Sequence, residues 1–438
     1  MDTSQKVLII AYYWPPSGGS GVQRWLKFVK YLPQFGWKPY VFTPENPSYA
    51  IRDESLVMDV PPEAEVIRYP IWEPYDAFLK LSSVFDGKKR AGATGTAMVS
   101  TKRRTVFQHL STWVRANLLV PDPRVFWVKP SSIFLHDYLR AHGIEHVITT
   151  GPPHSIHLIG YQLKSKNPHI TWFADFRDPW SEWGFLDSLG VGHRARAAHR
   201  KAERKVLQRC DRILTITPFY QRQFAALSGR EVTLLTNGFD EADFHDLHVL
   251  RSAKFMIRHV GTINEKCDPR PFIQALAMVM HNDAAFRRDV LLHFVGDVHP
   301  QVREFVTTLP DVLAATTFTQ PVPHSALIGL YGSSSLLLLI LTGYKDAEGY
   351  MPGKLFEYIA TGLPILGIGP EQGDAAGLLR ESGTGEMIDG TETERVMSAL
   401  LRSYSNWQQD RTALHRSKTD RYSRRAVTGE LANLLAQT

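Results

Sequence analysis

The chain has 438 residues, which at roughly 150 residues per domain makes two or three domains. Its 43% hydrophobic and 11% aromatic content excludes a disordered chain, a collagen-like repeat and a minimal disulfide scaffold. Against 44 acidic side chains stand 50 Lys and Arg, and the net charge of +6 suits an anionic small substrate or an acidic membrane surface but is too weak to argue for nucleic acid.

Short apolar runs alternate with amphipathic helical stretches, the pattern of a parallel sheet with helices on both faces. Lys6–Ala11 is predicted as the first strand. Gly21–Phe35 is predicted as a helix, with Val22, Trp25, Leu26, Val29 and Leu32 on one stripe. Pro39–Thr43 is the next strand. Residues 86–105 break the rhythm: they are basic, rich in Gly and Thr, and read as a surface insertion. Val106–Val120 then fits an amphipathic helix carrying Phe107, Leu110, Trp113, Leu118 and Leu119. With Lys88, Lys89, Arg90, Lys102, Arg103 and Arg104 beside it, the stretch 86–120 is a candidate contact for anionic lipid headgroups. His146–Thr149, Ile170–Ala174, Arg212–Thr217 and Val232–Thr236 are further strands. The basic run Arg194–Arg209 reads as a solvated helix face, or else as a contact for an acidic acceptor or a membrane.

Near residue 250 the pattern begins again. Phe255–Gly261 is a strand, about Pro271–His281 a helix, and Leu291–Gly296 and Leu336–Leu341 are strands. Pro352–Thr361 is a helix, Pro364–Ile368 a strand and about Val427–Leu435 a final helix. The most apolar stretch, Leu336–Leu341, is far below the ~20 residues of a membrane span. Val7–Ala11 is too short for a signal-peptide core and has no cleavage site after it. Cys210 and Cys267 are distant and form no C-x-x-C, which fits a reducing compartment. The expectation is a cytoplasmic protein, or one peripheral on the inner face of the cell membrane. Two α/β halves are expected to face each other across a cleft lined by the carboxyl ends of their strands.

Four places carry chemistry. Tyr12-Tyr13-Trp14-Pro15-Pro16-Ser17-Gly18-Gly19-Ser20-Gly21 joins the first strand to the first helix. Gly18 and Gly19 allow backbone N–H groups to approach an anion or a sugar. The spacing is neither G-x-G-x-x-G nor a P-loop, which argues against a dehydrogenase or a nucleoside triphosphatase. Gly353-Lys354-Leu355-Phe356-Glu357-Tyr358 opens a helix after Pro352. Its N-terminus attracts phosphate, Lys354 adds charge, and Glu357 can accept hydrogen bonds from both hydroxyls of a ribose. The alternative there is a surface ion pair. Asp175-Phe176-Arg177-Asp178 follows a strand, and Arg177 and Asp178 either touch substrates or form a buried structural pair. Gly151-Pro152-Pro153-His154-Ser155-Ile156-His157 caps another strand, with each histidine either facing the ligand or satisfied in the core. No H-E-x-x-H, G-x-S-x-G or metal-binding D-x-D pattern is present.

The glycine loop, Ala174-Asp175-Phe176-Arg177-Asp178-Pro179-Trp180, Leu235-Thr236-Asn237-Gly238-Phe239-Asp240 and the Pro-Gly-Lys-Leu-Phe-Glu-Tyr helix resemble the GT-B glycosyltransferases of family 4 over nearly the whole chain. The resemblance implies two Rossmann-like domains and transfer of a sugar from a nucleotide diphosphate sugar, with retention of configuration and no metal or other cofactor. It assigns residues 1–248 to the acceptor side, 249–412 to the donor side and 413–438 to a helical tail returning to the first domain. Glu357 matches the ribose-binding second glutamate of the family's E-x7-E motif. The first glutamate falls on Gly349, with Glu348 next to it as the substitute. The family's diphosphate-binding arginine falls on Thr262 or Cys267 in the loop after Gly261, and Lys266 or Arg270 takes its place. The resulting site has Asp178, Arg177 and Glu348 as catalytic residues. Gly18, Gly19, Gly261, Lys266, Gly353, Lys354 and Glu357 bind the donor, and His154, His157 and Trp180 bind the acceptor. The acceptor is a cell-surface or exopolysaccharide carbohydrate, lipid-linked. The alternatives are a noncatalytic scaffold in a polysaccharide assembly complex, favoured by the missing glutamate and arginine, and a nucleotide-sugar epimerase.

Overall fold

The computed structural model of the protein describes residues 5–49, 51–73, 106–182, 184–250, 252–343, 346–410 and 419–438. They form two compact units. The first comprises Met1–Ile216, Tyr220–Thr236 and Thr428–Thr438; the second comprises Thr217–Phe219 and Asn237–Val427.

The first unit holds one sheet of seven strands: β1 (Gln5–Ile10), β2 (Trp37–Pro44), β3 (Glu65–Tyr69), β4 (His146–Gly151), β5 (Thr171–Phe176), β6 (Arg212–Thr215) and β7 (Thr233–Leu234). Every pairing is parallel, in the order β3-β2-β1-β4-β5-β6-β7. The second unit holds six: β8 (Phe255–Val260), β9 (Val290–Val295), β10 (Thr316–Thr319), β11 (Leu336–Ile340), β12 (Ile365–Ile368) and β13 (Gly385–Ile388). They are also all parallel, in the order β10-β9-β8-β11-β12-β13. The two orders are the same winding. In each sheet the strand order reverses once, beside β1 and β4 or beside β8 and β11. Connections leave in opposite directions there, which opens a crevice at the carboxyl ends of those strands.

The central strands are apolar because helices cover both faces. Leu336–Ile340 is buried at all five positions. The predicted helix from Gly21 is real but shorter. An α-helix spans Ser20–Tyr31, and Leu32–Phe35 tightens into a 3-10 turn, since Pro33 has no N–H to continue the ladder. The predicted helix from Val106 spans Val106–Asn117, while residues 86–105 lie outside the described residues.

One buried ion pair fixes the crevice of the first sheet. The Arg24 guanidinium donates to Asp175 from Nη2 at 2.9 Å and to the Thr236 carbonyl from Nη1 at 2.8 Å. Asp175 also accepts from Trp25 Nε1 at 2.7 Å and Thr150 Oγ1 at 3.0 Å. The first helix, β4, β5 and the segment after β7 are thereby held at one point. Removing one partner of such a pair costs about 3–5 kcal/mol.

Candidate functional site

The second unit gathers its polar groups at the carboxyl ends of β8 and β11. The helix Gly353–Thr361 starts after Pro352 without a side-chain cap and stops at Gly362, which is left-handed at φ 72°. Leu355, Phe356, Tyr358 and Ile359 are its buried stripe. Tyr358 Oη accepts the Val260 N–H at 2.8 Å and fastens the helix to the end of β8. Lys354 and Glu357 are left half-buried on the open side.

Lys354 reaches back over Gly261. That glycine has φ 115°, and a Cβ on it would stand 3.3 Å from Lys354 Nζ. The ammonium donates to His259 Nε2 at 3.1 Å, while His259 Nδ1 donates to the Leu338 carbonyl at 2.9 Å. Burial lowers the Lys354 pKa to about 8. A cation thus stands beside an uncapped helix start and a glycine-lined backbone.

Glu357 accepts from Tyr331 Oη on Oε2 at 2.7 Å and from His324 Nε2 on Oε1 at 3.2 Å. Its side chain is 24% exposed, so the carboxylate is not sealed in the fold. A carboxylate has about four acceptor positions. Two face protein donors, and the others are open to a ligand with paired hydroxyls.

Gly353 is exposed at the first helical position. Lys266 is exposed on the loop after Gly261. Arg270 is held by Asp268, with Nη2 to Oδ2 at 2.6 Å. Glu348 is exposed in the turn Ala347–Gly349. Gly349 is buried, and a Cβ there would stand 2.5 Å from Phe219 Cδ1. A glutamate at that position is therefore sterically excluded by the Phe219 ring. Phe219 is itself tied down, its N–H donating to Asp374 Oδ2 at 2.7 Å.

In the first unit, the loop of Gly18 and Gly19 folds under residues 51–53. The Gly18 N–H donates to the Ile51 carbonyl at 2.9 Å, and the Asp53 N–H donates to the Pro16 carbonyl at 2.8 Å. The Gly18 N–H is thus engaged and does not point at a ligand. Gly19 is left-handed, φ 86°, and turns the chain into the first helix. Arg177 is a clamp between two loops. It donates to the carbonyls of Gly151 at 3.1 Å, Gly21 at 2.6 Å and Pro152 at 2.8 Å. Asp178, next to it, is half-buried and makes no hydrogen bond to a described residue. Burial raises its carboxyl above the usual range, against the pull of Arg177.

His154, His157 and Trp180 come together, but inside the core. Trp180 is 1% exposed and His157 0%. The His154 and Trp180 rings stack with centroids 5.0 Å apart, and Trp180 Nε1 donates to His199 Nδ1 at 3.0 Å. His157 Nδ1 lies 2.9 Å from Thr149 Oγ1, and burial pulls its pKa down to about 3. These three rings support the β4 and β5 loops and show a ligand almost no surface.

Sequence reasoning missed Tyr331, His324 and His259. Their partners lie 26, 33 and 95 residues away, beyond any local motif.

No protein-family model matches the chain, and no curated protein sequence matches it. Solved structures do match. Sucrose-phosphate synthase from Thermosynechococcus elongatus is 14% identical, with a TM-score of 0.62 over 99% of this chain and 98% of that one. WaaG, a glycosyltransferase involved in lipopolysaccharide biosynthesis, is 16% identical, with a TM-score of 0.56 over 99% of this chain and 100% of that one. HepE from Anabaena, solved in complex with UDP-glucose, is 13% identical, with a TM-score of 0.59 over 99% of this chain and 100% of that one. The likeness spans both units, and the chain has the fold of GT-B glycosyltransferases.

Proposed function

We propose that the protein is a glycosyltransferase that moves a sugar from a nucleoside diphosphate sugar to a lipid-linked carbohydrate of a cell-surface or exopolysaccharide pathway, with retention of configuration and without a metal. One observation carries this reading: a single uncapped helix start presents the Lys354 ammonium and the partly exposed Glu357 carboxylate three residues apart. The first suits a diphosphate, the second the diol of a ribose. A fold shared with HepE, whose structure holds UDP-glucose, and with WaaG supports it.

In this mechanism the bond between the sugar's anomeric carbon and the diphosphate oxygen breaks while the acceptor hydroxyl bonds to the same carbon on the same face. The acceptor's proton passes to the departing phosphate. Charge grows on the phosphate oxygens, where Lys354 and the N–H groups of the helix start stabilise it; removing one such donor typically slows a reaction by ~10²–10³. Lys266, exposed on the loop after Gly261, is a second cation for the diphosphate. Asp178, which faces the Arg177 charge but makes no hydrogen bond to a described residue, is the residue assigned to the acceptor hydroxyl.

A membrane contact belongs to the same reading. Asn117, at the end of the Val106–Asn117 helix, accepts the Gly192 N–H on Oδ1 at 2.7 Å. It thereby meets the start of the helix His193–Arg209. Trp113 and Leu118 are 52% and 65% exposed on the one side. On the other, Arg194, Lys201, Arg204, Lys205 and Arg209 are exposed and make no ion pair among the described residues. Apolar side chains beside unpaired cations suit anionic headgroups. No described helix is long and apolar enough to cross a membrane.

A thermal-shift panel of nucleoside diphosphates and their sugars tests the reading, because a ligand that binds the folded state raises its apparent stability. The wild type is expected to respond to at least one, and Glu357→Ala to lose most of that response when each shift is measured from the variant's own unliganded transition, which the unpaired Tyr331 hydroxyl lowers. A scaffold would give no response in either. Product analysis separates transfer from epimerisation: free nucleoside diphosphate with a glycosylated acceptor, or an isomerised nucleotide sugar.

A further inference from the structure

Glu357 does not hang free at the helix start. Its two oxygens are held from two directions. Tyr331 Oη lies 2.7 Å from Oε2, and His324 Nε2 lies 3.2 Å from Oε1. Both donors come from the helix His324–Gly332. Tyr331 is fully buried, and desolvation holds its hydroxyl in the protonated, donating form. Its ring meets that of Tyr358 edge to face at 5.6 Å, so it is fixed by packing as well. His324 is itself placed between two carboxylates, with Asp243 Oδ2 at 4.0 Å from its Nδ1.

The consequence is geometric. A glutamate on a helix surface has three rotatable bonds, and its carboxylate plane is ordinarily unfixed. The two hydroxyls of a ribose are both satisfied only when that plane faces them. Two protein donors on opposite oxygens set the plane before any ligand arrives. The ordering cost then falls on folding and not on binding, which is preorganisation. Two donors from the protein and two from a ribose also fill the acceptor capacity of one carboxylate.

We propose that His324 and Tyr331 are positioning residues that fix the Glu357 carboxylate for both ribose hydroxyls, and so make the protein select ribonucleoside over 2′-deoxyribonucleoside diphosphates. This rests on the donor-site reading given above. A purely structural role, tying the helix of His324 to that of Glu357, would move affinity for both kinds of nucleotide alike.

The test is isothermal titration of the full chain with UDP, GDP and their 2′-deoxy counterparts. The wild type is expected to prefer a ribonucleotide by roughly tenfold, the worth of a hydrogen bond to a charged group. His324→Ala and Tyr331→Phe are expected to shrink that preference to within about twofold by weakening ribonucleotide binding, with 2′-deoxy affinity nearly unchanged. His324→Gln, which keeps an N–H near the Nε2 position, is expected to retain the preference. Undiminished preference in His324→Ala and Tyr331→Phe overturns the inference and leaves the donor site standing. So does equal loss of both nucleotide kinds, or a wild type that binds without preference. A wild type that binds none of these, nor any nucleoside diphosphate of the thermal-shift panel, removes the donor-site reading itself.

Discussion

Lys354 is the residue of the candidate site through which pH acts most directly. Its pKa is about 8 in the folded chain against the ordinary value of 10.5. Between those values the unfolded chain holds a proton that the folded chain does not. Stability of the unliganded protein therefore rises with pH across that window. Affinity for a diphosphate is expected to run the other way and to fall as pH climbs through about 8, because the ammonium is lost. Lys354→Met is expected to flatten both dependences, read by thermal melts and by titration with a nucleoside diphosphate at pH steps. Gly349 makes a second prediction. A Cβ there would press on the Phe219 side chain at 2.5–3.0 Å. Gly349→Ala is expected to destabilise by about 1–3 kcal/mol, as overpacking does, and Phe219→Ala in the same chain is expected to recover part of the loss. Denaturant melts of the two single variants and the double variant measure it. Glu357 and Lys354 were legible because one helix start carries both. The donors that hold them were not, since only the tertiary fold brings Tyr331 and His324 to the same carboxylate.

Among the elements, legibility follows position in the sheet, with one exception: β7 is an edge strand too, yet Val232–Thr236 reads as a strand. β1, β2, β4, β5, β8, β9, β11 and β12 read as apolar runs because helices bury them on both sides. β3, β10 and β13 gave no such signal. Each is an edge strand, and each keeps partly exposed positions, as in the Glu65–Tyr69 and Thr316–Thr319 segments. Half-covered residues need not be apolar, so the periodicity fades where a sheet ends. The same gradient governs opening. Amides of β3 and β10 are expected to exchange with deuterium at least tenfold faster than those of β11, on the order expected between marginal and core elements. Equal protection across the second sheet would contradict this. Arg177 and Trp180 show the opposite limit of reading motifs: they lie near strand ends, as read, yet their polar atoms serve neighbouring loops and His199.

At the scale of the molecule, a net charge of +6 is modest, but its placement is uneven. Five cations that make no ion pair among the described residues occupy the exposed face of His193–Arg209. Flotation with phosphatidylglycerol vesicles is expected to carry the protein at low salt and release it as ionic strength rises. Lys201→Glu with Lys205→Glu is expected to cut recovery several-fold, and neutral phosphatidylcholine vesicles to recover little. Retention that ignores both salt and lipid charge would count against the basic face. The two sheets share one winding order, and that repetition was legible as a pattern that restarts near residue 250. The units themselves are not simple halves of the chain, because three residues, Thr217–Phe219, sit with the second unit although the chain around them belongs to the first.

That short excursion has a practical cost for anyone wishing to study the second unit alone. A fragment cut out from Asn237 to Val427 would keep all six strands of its sheet. It would leave behind the aromatic plug above Gly349 and the amide that Asp374 holds. The excised piece would carry a hole over Gly349, and a weak or altered response from it would report the missing Phe219 ring and not the behaviour of the full chain.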